Sequence, residues 1–207
     1  MSPDHPVGPV PATDTGYSAR RDTSPREEEF RVNSIDVLVD AFGRVRSDVH
    51  RAVEGLDEKA LNLRLDAEAN PVGWLVWHLT RVQDDHLAEL AGAEQAYTDG
   101  QEGGGQSWAD RFGFDLDPSS MGFAHTSAQV AAVHVADPAL LTGYYDAVHE
   151  RTVAYLRTLS DADLDEVIDD HWDPPVTRGV RIISVVDDDI QHAGQAAFVA
   201  GIARRAT

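Results

Sequence analysis

Four stretches of the chain repeat large apolar residues at steps of three and four, and no stretch of similar length alternates them at steps of two. Ile35, Leu38, Phe42, Val45, Val49 and Val53 form the first set, and Trp74, Leu75, Trp77 and Val82 mark the second. Leu140, Leu141, Tyr144, Val148, Tyr155 and Leu156 form the third, and Val185, Val186, Ile190, Ala193, Ala197 and Val199 the fourth. A helical period places each set on one face, and such a face is stable only when buried against others like it. Start and stop residues agree with the pattern. Asn33 or Ser34 caps a helix predicted over Ser34–Glu54, ahead of Gly55. Asn70-Pro71, a cap followed by proline at the first helical position, opens a helix predicted to run to Ala91. Asp137-Pro138 opens the third, to Leu159, and the fourth runs from Arg178 or Ile182 to Ala203. The expected fold is all-α, a four-helix bundle.

Between the helices the signals are weaker. Asp57–Ala69 reads as a short helix or turn, Thr126–Val133 as a short element, and Ser160-Asp161-Ala162-Asp163 as a capped turn. Trp172-Asp173-Pro174-Pro175 reads as rigid loop, and no hairpin is predicted. Gly100–Phe123 reads as a loop that carries Trp108, Phe112, Phe114 and Met121, an aromatic content suited to folding over a site. Residues 1–32 are rich in Pro, Ser, Thr, Asp, Glu and Arg and are expected to form a disordered tail. The bundle domain is expected over 33–207.

The net charge of −19 argues against binding to a phosphate backbone or an anionic membrane. The chain has no cysteine, which excludes disulfides, thiolate metal ligands and a cysteine nucleophile. Any thiol chemistry must come from a bound small molecule. No apolar run is long enough to span a bilayer and no signal-peptide pattern is present, so the expected location is the cytoplasm.

Chemistry concentrates on two of the four helices. His78 sits in the apolar run Trp74-Leu75-Val76-Trp77-His78-Leu79. Asp188 and His192 are four residues apart, so they share a helix face and can grip one ion together. One imidazole from one helix and an Asp-x-x-x-His pair from another make a three-ligand site with open positions, the arrangement of a catalytic metal. Val185, Asp188, His192, Gln195 and Val199 are expected to form the inward stripe, with Asp187 and Asp189 facing solvent or neighbouring helices. Asp85 and His86 follow His78 on the same broad face, Asp85 as a carboxylate behind a ligand and His86 as a substrate-contacting base. Arg81, one turn beyond His78, is a candidate for holding an anionic group, with a helix-surface salt bridge as its alternative role. The other histidines, among them His50, His125, His134, His149 and His171, read as surface residues.

Trp77-His78-Leu79 together with Asp188-x-x-x-His192-Ala193-Gly194-Gln195 resembles the DinB-like superfamily of metal-binding four-helix bundles. Members commonly carry His-x-x-x-His followed by Gly-Gln in the last helix, and here Asp188 replaces the first histidine. An acidic residue there resembles the mycothiol-dependent maleylpyruvate isomerase branch, whose zinc site uses His, Glu and His. The resemblance implies a bundle, a metal site of His78, Asp188 and His192, and a thiol-dependent S-transferase or isomerase acting on a small-molecule substrate. Zinc is the leading ion, with nickel, iron and manganese able to use the same donors. The thiol would be of low molecular weight, and its electrophile would lie under the aromatic loop around Trp108. Three alternatives stand beside this reading. One is a hydrolase that uses metal-bound water, with Asp85 or His86 as proton shuttle. Another is a non-enzymatic, metal-stabilised binding or stress-response module. The last is a metal-free bundle in which Asp188 pairs with Arg or His. Exposed helix faces would allow a homodimer.

Overall fold

The first predicted helix forms over Ser34–Val53 (α1), locked by a reciprocal cap in which Asn33 Oδ1 accepts from the Asp36 N–H at 2.8 Å and the Asp36 carboxylate accepts from the Asn33 N–H. The computed structural model describes residues 32–100 and 105–206, so residues 1–31 of the expected tail, and Gly103 and Gly104, lie outside the described residues. Glu58–Leu61 (α2) is a single turn capped by Asp57. Val72–Ala91 (α3) starts one residue later than the Asn-Pro signal suggested, because Pro71 itself takes the extended cap conformation at ψ 164°. Gly92 ends it in the left-handed region at φ 62°, which only glycine enters without strain.

The aromatic segment is not all loop. It holds a short helix, Trp108–Phe112 (α4), capped by Ser107. Ser127–Ala132 (α5) follows, then Pro138–Leu156 (α6), which starts at the predicted Asp-Pro cap and stops three residues before Leu159. Asp161–Leu164 (α7) is one turn. Val167–Asp169 (β1) and Val176–Thr177 (β2) then pair antiparallel, a hairpin that was not predicted. Strands of three and two residues are too short to show an alternating pattern. Arg178–Ala206 (α8) leads directly out of β2 and is the longest helix.

The four long helices form a ring in which α8 and α6 each pack between α1 and α3. Their directions follow from shared ends. Ile35 and Leu38 of α1 join Ile182 and Val185 of α8 in one apolar cluster with Leu87 of α3 and Leu156 of α6. At the other end, the Arg204 guanidinium donates to the carbonyls of Arg51, Ala52 and Glu54, closing the C-terminal turn of α1. So α1 and α8 run parallel to each other and antiparallel to α3 and α6. Parallel α3 and α6 cannot be joined by a tight turn, which is why the long crossover containing α4 and α5 exists. Among the described residues no helix is long and apolar enough to cross a membrane.

The inward face of α8 keeps Val185 and Val199 of the expected stripe, both buried, but is centred elsewhere. Ile182, Val186, Asp189, Ala193, Ala196 and Ala200 fill the seam, Gln195 is exposed, and Asp188 and His192 lie on the shoulder facing α3. Three consecutive aspartates hide which one points inward, and the small alanines that mark the true seam carry little weight in a pattern of large residues.

Candidate metal centre

His78 projects from the middle of α3 into the groove against α8, where its ring stacks on Trp74 at 4.6 Å between centroids and meets the His192 ring edge-on at 4.7 Å. One ligand atom from each of His78, Asp188 and His192 lies within 4.8 Å of the others. Trp74 precedes His78 by one turn, so helical spacing alone produces the stack.

Both imidazoles are tied down at Nδ1. His78 Nδ1–H donates to the Met121 carbonyl, and His192 Nδ1–H donates to the Asp188 carbonyl one turn back at 2.9 Å. Each bond fixes the tautomer and leaves Nε2 as the free donor atom, as in histidines that hold metals. Asp188 Oδ2 is closed off from solvent and lies 3.4 Å from His192 Nδ1, but that proton already serves the backbone carbonyl, so Oδ2 has no hydrogen bond. Two imidazole nitrogens and an unsatisfied carboxylate oxygen are the donor set of a divalent-cation site. The site has an open edge: the Asp188 and His192 side chains keep 33% and 19% of their exposure, while His78 keeps 6%.

The charges are mutually adjusted. Burial pushes the His78 imidazole below its ordinary pKa, keeping it neutral and able to ligate. The Asp188 carboxylate 3.4 Å away, together with the Asp188 carbonyl that accepts from Nδ1–H, raises His192. Burial works against the Asp188 charge, but His192, and behind it His78 and His86, overcome that and hold the carboxyl below its usual range.

The crossover segment Asp117–His125 is the back wall of the site. Arg81 is fully buried and every nitrogen of its guanidinium is committed: Nε to the Ser120 carbonyl, Nη2 to the Pro118 carbonyl, and Nη1 to Gln95 and Tyr144. Its plane covers the Tyr97 ring at 4.2 Å. The residue expected to hold an anionic ligand therefore sits where it pins the loop that carries the Met121 carbonyl. Gly122 lets that loop approach, since a Cβ there would stand 2.8 Å from His78 Nδ1, and its φ of 97° disfavours any side chain. Gly122→Ala is expected to push the carbonyl away and weaken zinc binding by ~10–100-fold in a chelator competition titration. Unchanged affinity would show that Met121 does not orient His78.

The remaining sequence candidates have partners of their own, and of them His86 stays close enough to the site for the Asp188 charge to act on it. Asp85 accepts from Gln95 Nε2 at 2.6 Å, and His86 Nδ1 lies 3.4 Å from Arg181 Nη1, with burial first and Arg181 second lowering its pKa. Trp108 packs on Tyr144 and Phe112 under the Arg111 guanidinium, and Phe114 packs edge-on against Trp77, so the aromatic segment is part of the core wall. Two groups were missed in the sequence. His125, read as surface, accepts from Trp74 Nε1–H at Nδ1 and donates from Nε2 to Ser120 Oγ, a contact across loop and helix that no local pattern announces. Asp189 is fully buried with both carboxylate oxygens unbonded. The seam of small residues around it was its only signal. A second group of ligand atoms, Asp169, Asp170 and His171, sits on an exposed turn and bonds within itself.

Comparison with known proteins agrees with this architecture. The sequence profile described as "DinB superfamily" matches residues 41–196. A crystal structure of a conserved protein from Enterococcus faecalis superposes with a TM-score of 0.74 at 27% identity, covering 82% of this chain and 96% of that one. No curated protein matches.

Proposed function

The chain belongs to the DinB superfamily, and on that premise we propose that it holds a divalent metal, zinc foremost, at His78, Asp188 and His192 and uses it to activate a low-molecular-weight thiol for S-transfer or isomerisation. The observation that carries this reading is the set of three ligand atoms within 4.8 Å, with both histidines locked to present Nε2. When bound, such an ion supplies the positive charge that stabilises a thiolate near neutral pH. His78 and His192 would hold it from the neighbouring helices α3 and α8, Asp188 would offset part of its charge, and the open edge at Asp188 and His192 leaves room for an added ligand. The absence of cysteine in the chain means that the thiol must be a co-substrate.

The hydrolase alternative uses Asp85 or His86 to move protons. Asp85 is engaged by Gln95, whereas His86, beside Arg181 and within reach of the Asp188 charge, is the shuttle that reading would use. The test uses cobalt in place of zinc, because a thiolate bound to cobalt produces a sulfur-to-metal charge-transfer band. Adding 2-mercaptoethanol to the cobalt-loaded protein is expected to produce that band, and His192→Ala is expected to lose it. Stoichiometric cobalt with no band at any thiol concentration would overturn the thiol reading and leave the water-activating one.

A further inference from the structure

Helix α8 carries a second seam on the side away from the core, apolar except for Asp187, whose carboxylate accepts from Gln191 on the same helix. Val180, Ile183, Asp187, Ile190, Gly194 and Ala197 alternate steps of three and four, and Gly201 continues the series. This is the spacing of a helix that packs against another helix along its length. The inner seam already has its partners in the bundle. The outer one has none among the described residues: Ile183 and Ile190 are 52% and 51% exposed, and a Cβ at Gly194 would meet nothing within 4 Å. A groove of 760 Å³ opens beside it between α8 and α1, lined by Ile190, Gly194 and Ala197 on one side and Asp48 and Arg51 on the other.

We infer that this α1–α8 face binds a second copy of the chain about a two-fold axis near Ile190. A two-fold pair requires a surface complementary to itself, with each contact repeated in reverse. The order of sizes along the seam meets that condition. Turned antiparallel about Ile190, Ile183 falls opposite Ala197 of the partner subunit and Val180 opposite Gly201 of the partner subunit, so large residues meet small ones at each end.

The charges on α1 meet it independently. Asp40, Arg44, Asp48 and Arg51 alternate in sign along its exposed side, where each arginine already pairs with the aspartate of its own turn, Arg44 with Asp40 and Arg51 with Asp48, so that contacts across the axis would extend these pairs into a network. Because α1 runs parallel to α8, the same rotation reverses it too, bringing Asp40 opposite Arg51 of the partner subunit and Arg44 opposite Asp48 of the partner subunit. Asp48 and Arg51 line the same groove as Ile190, so both pairings centre at nearly the same level. In a chain of net charge −19 this balanced strip is suited to contact between two copies, whereas like-charged faces would repel.

Sedimentation velocity on the full chain tests the inference. The wild type is expected to sediment at twice the chain mass. Ile190→Glu, which brings two like charges together at the axis, is expected to weaken association by ~100-fold with the circular dichroism unchanged, since Ile190 is outside the core. Arg51→Asp is expected to weaken association, and adding Asp40→Arg to restore it. A wild type that stays monomeric at ~100 μM, or an Ile190→Glu protein that remains a dimer, would overturn the inference.

Discussion

Zinc added to chelator-treated protein is expected to raise the melting temperature by ~5–10 °C at a hundredfold excess over its dissociation constant. An ion that binds only the folded state adds about 2.7 kcal/mol at that excess, and a chain of this size shifts by about 2–4 °C per kcal/mol. His78→Ala and His192→Ala each remove one of three donors and are expected to abolish the increment. Asp188→Asn keeps the shape but removes the charge, and should retain a small part of it. The increment is also expected to shrink as the pH falls. His192 is raised by Asp188, so on acidification it is the first of the two imidazoles to take up the proton that competes with the ion. His78, lowered by burial, follows at more acidic pH. Calorimetry with and without zinc across pH reads all of this. A melting temperature indifferent to zinc in the wild type would leave Asp188 and His192 as a structural ion pair.

The second large effect is a gain. Asp189 is buried on the seam of α8 with neither oxygen hydrogen-bonded, and burial first, then the neighbouring Asp188 charge, push its pKa well above the ordinary value. Above the normal carboxylate range the unfolded chain has lost this proton while the folded chain keeps it. Folding then takes up a proton, and stability falls as the pH rises, by ~1.4 kcal/mol per pH unit, until the folded group itself ionises. Asp189→Asn is nearly isosteric and does not titrate. In metal-free protein it should therefore stabilise by roughly 2–4 kcal/mol at pH 7, and the gain should vanish near pH 4. Urea unfolding of the two proteins at both pH values measures it. Destabilisation at pH 7 would show that Asp189 is charged and paired in the folded state.

The bundle was legible because its signals are local. Apolar period, the Asn33 and Asp137 caps and the Gly55 and Gly92 stops are all properties of a few consecutive residues, and each long helix lies within a few residues of its predicted ends. The three candidate ligands were legible for the same reason: Asp188 and His192 are a turn apart on one helix, and a histidine among Trp74, Leu75 and Trp77 stands out. The short hairpin and α4 were not, since two or three residues of strand and one turn of helix leave no period to read.

What the sequence determined by itself is the set of helices and the donors they carry. Tertiary structure alone decided that Asp189 of Asp187-Asp188-Asp189 is fully buried, because the rotation of α8 depends on how closely Ala193, Ala196 and Ala200 pack. It also decided that Arg81 and the Met121 carbonyl set the orientation of His78. Those bonds join a helix to a crossover loop about forty residues away, and a backbone carbonyl carries no residue signature by which a sequence could announce it.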